Sequence, residues 1–179
     1  MQPQMPNQAE DIYIAPIEGE PGHPRLGKPE RFVGTPGMDI TPVFSPDGRW
    51  IAYTSNESGT FEVYVRPFPG PGGRWQISAG GGVSPAWSRG GHELLYQTLT
   101  RDVIRVEYAV KGDSFAPGKS RPWTGVQLAD MGPNTVFDVA PDGKHLAAIL
   151  PVGPKGEEKL TSELMFLVNF FDEVKRRVK

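Results

Sequence analysis

Short stretches in which every second residue is apolar recur along the chain, and segments rich in Gly and Pro separate them. Residues 61–66 (Phe-Glu-Val-Tyr-Val-Arg) are typical, with apolar side chains at the odd positions and charged ones at 62 and 66. A period of two places successive side chains on opposite faces of a β-strand. Residues 67–73 follow as a Gly/Pro loop. The pattern predicts an all-β protein built from short strands and tight turns.

One strand–turn–strand unit occurs three times. Residues 44–49 (Phe-Ser-Pro-Asp-Gly-Arg) precede the apolar stretch Trp-Ile-Ala-Tyr. Residues 87–92 (Trp-Ser-Arg-Gly-Gly-His) begin 43 positions later and precede Glu-Leu-Leu-Tyr, and residues 139–144 (Val-Ala-Pro-Asp-Gly-Lys) begin a further 52 positions on. A period of about 40 to 50 residues is that of a four-stranded propeller blade. The chain is therefore predicted to contain about three four-stranded antiparallel blades of a β-propeller.

The repeat assigns roles to individual residues. Pro fixes φ, Asp can bond the backbone two residues on, and Gly adopts the positive φ of a tight hairpin. These properties predict structural turns at Pro46, Asp47, Gly48, Gly90, Gly91, Pro141, Asp142 and Gly143. The large aromatic residues around the turns are predicted to pack between neighbouring blades: Phe44, Trp87, Tyr53 and Tyr96. Trp75 and Trp123 fall in outer strands, where they either cover a blade edge or contact a partner.

The repeat also predicts how the chain is divided. Residues 1–10 form a flexible N-terminal segment, and residues 11–168 form a partial propeller with strands at 11–34 and blades at 41–78, 84–124 and 134–168. Apolar residues at helical spacing predict a C-terminal helix over residues 169–179. Because closed propellers have four to eight blades, three blades and a fraction do not close a ring. The chain is then either the C-terminal part of a longer propeller or one half of a homodimer that buries both open ends.

Composition and charge exclude several classes of protein. The 179 residues include 22 Gly and 19 Pro, too many turn formers for a helical bundle. Nineteen basic residues against 21 acidic ones leave a formal charge of -2, which argues against a nucleic-acid partner. No cysteine is present. From the polar N-terminus we expect no export signal. No apolar run approaches the roughly 18 residues of a membrane span, so we also expect no integral membrane segment.

The sequence offers no convincing catalytic, cofactor or metal site. His23, His92 and His145 have no Gly-x-Ser-x-Gly elbow beside them, and two of them follow a repeat turn, which explains them better. Asp47 and Asp142 each stand alone in a turn, without the second carboxylate of a calcium loop. The three glycines at 80–82 have no following Lys-Ser/Thr pair, so a phosphate loop is rejected.

Residues 44–53 resemble the TolB-like propeller repeat, an aromatic followed by Ser-Pro-Asp-Gly-Arg/Lys and an apolar strand. Residues 63–78 and 167–173 are similar to the propellers at the C-terminus of some bacterial serine/threonine protein kinases. The middle repeat departs from the pattern, with Arg-Gly-Gly at 89–91 in place of Pro-Asp-Gly. The resemblance implies a bacterial, usually extracytoplasmic or periplasmic, interaction or sensor module.

We therefore expect a non-enzymatic propeller module without a cofactor that binds a protein or peptide, either another molecule or a second copy of itself. Two alternatives remain open. The chain is similar to the propellers that gate prolyl-oligopeptidase-like peptidases, so it could be a fragment of such an enzyme or of a receptor kinase. It could also be a purely structural, self-assembling module.

Overall fold

The computed structural model describes residues 9–88, 92–131, 134–142 and 144–152. All regular structure in these residues is β, which confirms the all-β prediction. The strands are β1 (Ile12–Ile14), β2 (Ile17–Glu18), β3 (Arg25–Leu26), β4 (Glu30–Val33), β5 (Asp39–Phe44), β6 (Trp50–Ser55), β7 (Glu62–Pro67), β8 (Trp75–Gln76), β9 (Val83–Trp87), β10 (Glu93–Gln97), β11 (Val103–Lys111), β12 (Ser114–Pro122), β13 (Phe137–Val139) and β14 (Leu146–Ala148).

Two four-stranded antiparallel sheets form the centre of the described chain. Strands β5 to β8 form one and strands β9 to β12 the other, each in chain order. The pairs β1/β4, β2/β3 and β13/β14 form two-stranded sheets. The fold is a portion of a β-propeller, as the repeat predicts. The predicted helix at 169–179 lies outside the described residues, as do most of the N-terminal segment and the end of the 134–168 blade.

Strand β6 contributes side chains to two hydrophobic clusters. All six of its residues are buried, because sheets lie against both of its faces. Trp50 and Ala52 belong to the cluster shared with the β9–β12 sheet, whereas Tyr53 packs with Ile12 and Val33 of the N-terminal β1/β4 sheet. The side chains of successive residues point to opposite faces of a strand. The continuous apolar run Trp-Ile-Ala-Tyr is therefore the pattern of a strand buried on both sides.

A long hairpin fastens the second four-stranded sheet to the first. Strands β11 and β12 extend beyond β10 and turn at Gly112, whose φ is 60°. Near this turn the guanidinium of Arg49 donates a 2.8 Å hydrogen bond to the Gly112 carbonyl and lies 3.6 Å from the Asp113 carboxylate. Phe115, just past the turn, is buried between the two sheets. The first strands β5 and β9 are thereby held as neighbours.

Candidate functional site

A cleft lies where the first strands of three successive sheets meet. Strand β9 contacts both β5 and β13, and the cleft between their C-terminal ends has a volume of about 750 Å³. Its lining comes from the same repeat positions of each unit: Val43, Phe44, Ser45 and Pro46; Pro85, Ala86 and Trp87; and Thr135, Phe137, Asp138, Val139, Ala140 and Pro141. First strands are the innermost strands of propeller blades, so the cleft faces the position of a central channel.

The first strands bend at two equivalent non-glycine residues. Thr41 in β5 has a φ of 51° and Ser84 in β9 a φ of 53°, and each precedes a proline. A positive φ is uncommon outside glycine, and most of all for a β-branched residue. The ladder between β5 and β6 shifts register here, between Ile40 and Val43. A bulge changes the direction of a strand. The bends at Thr41 and Ser84 direct the ends of β5 and β9 toward the cleft.

Hydrogen bonds tie the three first strands together behind the cleft. The hydroxyls of Thr41 and Thr54 share a 2.8 Å hydrogen bond, and the amide of Ser84 donates to the Thr54 hydroxyl at 3.3 Å. The Ser84 hydroxyl in turn donates to the carbonyl of Asn134, just before β13, at 2.9 Å. On the cleft wall itself, the indole N–H of Trp87 donates to the Val43 carbonyl at 3.1 Å. These bonds fix the relative positions of the strands that form the cleft.

The four aromatic residues assigned to blade packing lie in two environments. Tyr53, Tyr96 and Trp87 are buried, and the Trp87 ring packs edge-on against Tyr108 at 5.3 Å. Phe44 is 51% exposed; it lines the cleft, and its ring is 5.1 Å from the Phe68 ring. Phe44 also borders a second groove of about 590 Å³, between β5 and the N-terminal sheet. The same repeat position thus presents a buried indole in one unit and an accessible phenyl ring in another.

The first and third repeat turns border the cleft. Asp47 accepts hydrogen bonds from the Ser45 hydroxyl at 2.5 Å and from the Arg49 amide at 3.1 Å, and Gly48 has a φ of 69°. Partial burial opposes ionisation of Asp47, but these bonds together lower its carboxyl pKa. Pro46 and Pro141 line the cleft on either side. Gly90, Gly91 and Gly143 lie outside the described residues.

At the turn after β13, the Asp142 carboxylate accepts a 2.8 Å bond from the Lys144 amide and lies 2.5 Å from Nδ1 of His145. The pKa of Asp142 is lowered, chiefly by the Lys144 amide and then by His145. This exposed pair lies beside the cleft but does not line it.

The ring of His92 rests edge-on against Tyr108, 5.5 Å away. Among the residues that the structure describes, no group of three or more His, Asp or Glu side chains is placed to hold a metal.

The chemistry of the cleft is that of a binding surface. Most of its lining side chains are apolar or proline, and Asp138 is the one ionisable residue in that lining. Asp138 is exposed, and one of its oxygens accepts the amide hydrogen of Val139 at 2.8 Å. Apolar walls with a few fixed polar groups are typical of ligand pockets.

The two outer-strand tryptophans are partly covered by their own chain. The Trp75 ring lies 5.6 Å from the Trp50 ring and 6.1 Å from the Phe115 ring. Trp123 packs against the cluster that contains Leu128 and Phe137. Each is half-buried, so contact of either residue with a partner stays a prediction.

The structure explains Gly80 and Gly81, two of the three glycines at 80–82, for which the sequence suggested no use. The buried carboxylate of Glu62 accepts the amide hydrogens of Gly80 and Gly81, both at 2.9 Å, and also the hydroxyl of Ser78. Gly81 has a φ of 111°, which few other residues adopt. The loop thus holds an anion, as glycine-rich loops do, but the anion is a side chain of the same sheet.

The chain is similar in sequence to a tricorn protease homolog and to TolB proteins. Tricorn protease homolog 1 of Streptomyces coelicolor is 28% identical over 144 residues, which is 77% of this chain and 13% of that protein. The Tol-Pal system protein TolB of Desulfosudis oleivorans is 25% identical over 104 residues, 58% of this chain and 22% of its own length, and a TolB homolog of Chlorobaculum tepidum is 28% identical over the same coverage. The resemblance to TolB-like propellers is confirmed.

The crystal structure of TolB from Acinetobacter baumannii matches 73% of this chain and 41% of its own, with 17% identity and a TM-score of 0.37. No protein-family model matches the chain. The chain spans between about an eighth and a quarter of the length of the curated relatives that it matches. Within the described residues, the structure contains no helix of the length and apolarity that crossing a membrane requires.

Proposed function

We propose that this chain is a non-enzymatic propeller module that binds an extended protein segment in the cleft between β5, β9 and β13. The observation that carries the proposal is the cleft itself, a space of about 750 Å³ lined by Phe44, Phe137 and three prolines. Its volume falls within the usual range of ligand pockets, roughly 300–1,000 Å³. Aromatic and proline side chains present flat apolar surfaces that suit an extended peptide.

The single carboxylate of the lining defines the preferred peptide. Asp138 is exposed at the cleft, and the Val139 amide occupies only one of its oxygens at 2.8 Å. No basic side chain is present in the lining to neutralise it. A peptide with an apolar residue beside a lysine or arginine would place its cation at Asp138 and its apolar side chain against Phe44.

The similarity to TolB proteins supports a role in a multi-protein system, since one of these relatives is named as part of the Tol-Pal system. The TolB-like resemblance also favours a periplasmic or extracytoplasmic location. A fusion to a reporter that is active only outside the cytoplasm tests this location, and activity restricted to cytoplasmic fusions contradicts it.

A second candidate is that the chain is the propeller portion of a larger peptidase. The match to a tricorn protease homolog favours it, because 77% of this chain aligns with only 13% of that protein. The domains encoded in the same reading frame as this chain distinguish the two candidates. A hydrolase domain in the same polypeptide supports the peptidase, and a kinase or receptor domain there counts against it.

The binding proposal is tested by selection from a random-peptide phage library on the immobilised chain. We expect enriched peptides to pair apolar residues with Lys or Arg. Phe44→Ser should weaken their binding at least tenfold, and Asp138→Asn should weaken only the basic peptides. Leu99→Ser is the control, since Leu99 is 53% exposed, close to the 51% of Phe44, but does not line the cleft. Absence of enrichment, or an equal loss with Leu99→Ser, contradicts the proposal.

A further inference from the structure

The second groove, of about 590 Å³, separates the N-terminal β1/β4 sheet from the β5–β8 sheet. Phe44 ends β5 and Phe68 directly follows β7, and both line the groove. Strands β5 and β7 are both antiparallel to β6, so their C-terminal ends lie at the same edge of the sheet. The groove therefore opens at the edge where the cleft lies, and Phe44 lines both. Its walls all come from described residues, so it is a space between two sheets.

Three phenylalanine rings lie in a row along this groove. The Phe68 ring centroid is 6.1 Å from that of Phe32 and 5.1 Å from that of Phe44, with ring planes inclined by 62° and 84°. Arg66 fixes Phe32, because its guanidinium lies 5.7 Å from the ring centroid and donates a 3.3 Å hydrogen bond to the Phe32 carbonyl. The lining also contains two prolines, Pro16 and Pro69. Aromatic-lined grooves of this kind bind segments in the polyproline II conformation.

Four charged side chains are also part of the lining, and two of them are paired within the chain. Arg31 lies 3.5 Å from the Asp11 carboxylate, and the Glu18 carboxylate lies 3.6 Å from an arginine of β3. In the part of the chain that the structure describes, neither Lys28 nor Glu30 makes a side-chain hydrogen bond or an ion pair. Both residues are exposed. The groove therefore presents one unpaired cation and one unpaired anion to a ligand.

The separation of these two charges defines the spacing of charges in the ligand. Lys28 and Glu30 are two positions apart, so their Cα atoms are at most about 7 Å apart. In polyproline II, two residues correspond to a rise of about 6 Å. A segment in which one residue separates an acidic from a basic side chain therefore has charges at the same spacing as the groove.

We propose that the second groove binds a proline-rich segment of another protein, in the polyproline II conformation, in which one proline separates an acidic residue from a basic one. The proline rings pack against the three phenylalanine rings, the acidic residue pairs with Lys28 and the basic residue pairs with Glu30. The cleft selects differently, because Asp138 is the one ionisable residue in its lining. This proposal does not depend on peptide binding in the cleft.

Isothermal titration calorimetry with three terminally blocked peptides tests the charge preference. The peptides are Pro-Pro-Glu-Pro-Lys-Pro-Pro and its doubly basic and doubly acidic versions, and the titrations use the Asp138→Asn chain to remove the carboxylate of the cleft. We expect the mixed peptide to bind about threefold more tightly than either of the others, since exposed ion pairs are weak. Lys28→Glu should make the doubly basic peptide the preferred one, and Glu30→Lys the doubly acidic one. A charge preference that neither variant changes overturns the proposal.

Phe68→Ser tests the aromatic wall and should weaken binding of the mixed peptide at least tenfold. Phe61→Ser is the matched control, because Phe61 is partly buried, like Phe68, but lines neither the groove nor the cleft. Urea denaturation of both variants checks that each is folded, and the exposed Lys28 and Glu30 variants test the groove if Phe68→Ser is not. Equal losses in the two phenylalanine variants, or no binding of the mixed peptide to the unmodified chain, overturn the proposal.

The two binding sites can be told apart with the same variants. Phe68 does not line the cleft, so peptides that bind there should keep their affinity in Phe68→Ser and lose it in Asp138→Asn. The mixed peptide should show the opposite behaviour. Peptide binding that depends on Asp138 but never on Phe68 overturns the groove proposal and leaves the cleft proposal intact.

Discussion

The phenyl ring of Phe115 lies edge-on against the indole ring of Trp50, with 5.2 Å between ring centroids and 61° between ring planes. Trp50 begins the second strand of one four-stranded sheet, and Phe115 lies just past the hairpin turn of the next. Phe115 also stacks on Tyr108 at 4.7 Å. Offset and edge-to-face aromatic pairs contribute beyond their buried area. This contact is therefore part of the apolar core shared by the two complete blades.

Phe115→Ala should lower the free energy of unfolding by about 3–5 kcal/mol, the usual loss for a buried phenylalanine. The residue is 2% exposed, so a cavity would remain between the sheets. Urea denaturation followed by tryptophan fluorescence measures the change. Phe44→Ala is the matched control, and it should cost much less because half of that side chain is exposed. Equal losses for the two variants would show that Phe115 does not link the sheets.

Glu62→Ala should destabilise the fold by about 2–4 kcal/mol, because the Gly80 and Gly81 amides and the Ser78 hydroxyl lose a charged acceptor. The measurement is the urea midpoint at constant m-value. Glu107→Ala is the control: Glu107 is exposed and lies 4.0 Å from Arg105, and its removal should cost less than about 0.5 kcal/mol. A loss for Glu62→Ala no larger than for Glu107→Ala contradicts the anchoring role of this carboxylate.

Thr54→Val keeps the shape of a fully buried side chain and removes the hydroxyl that bonds Thr41 at 2.8 Å. Unfolding free energy should fall by about 1–2 kcal/mol, since a buried polar group loses its partner. Amide hydrogen exchange should also speed up in β5 and β9, which this hydroxyl joins. Thr60→Val makes the same chemical change at an exposed residue and should alter neither quantity. Unchanged exchange in both strands would exclude Thr54 as a tie between them.

We expect the free energy of unfolding to fall at alkaline pH because Tyr53 is buried. Burial raises the pKa of Tyr53 to about 12, above the usual value of 10. A raised folded-state pKa contributes stability that is complete below pH 10 and is lost as the pH rises from about 10 to 12. Urea midpoints at pH 9 and pH 11 measure the loss, which should be smaller in Tyr53→Phe than in the unmodified chain.

Tyr53→Phe should also have a defined effect on stability at neutral pH. The Tyr53 hydroxyl is buried without a hydrogen-bond partner among the described residues, so its removal should leave stability equal or increase it by about 1 kcal/mol. Tyr13→Phe changes an exposed tyrosine and serves as the control. A clear loss of stability in Tyr53→Phe at neutral pH would mean that the hydroxyl has a partner in solution.

Local patterns were sufficient for the all-β class and for the repeat. Alternation over residues 61–66 depends on the two faces of a single strand, and the Pro-Asp-Gly turn depends on the φ preferences of adjacent residues. Neither requires knowledge of distant contacts. The sequence also placed Phe44 and Trp87 at one repeat position, because the short motifs around them match and lie 43 residues apart.

Only the tertiary structure decided what covers each of those residues. Trp87 is buried because the β11–β12 hairpin brings Tyr108 and Phe115 against it, whereas the Phe44 ring meets Phe68 and opens into the cleft. The carboxylate of Glu62 likewise meets the glycine loop only after β7 and β8 have paired. The sequence by itself therefore determined the all-β class and the period of the repeat. Exposure and partners were decided by the packing of whole sheets, because both depend on residues far apart in the chain.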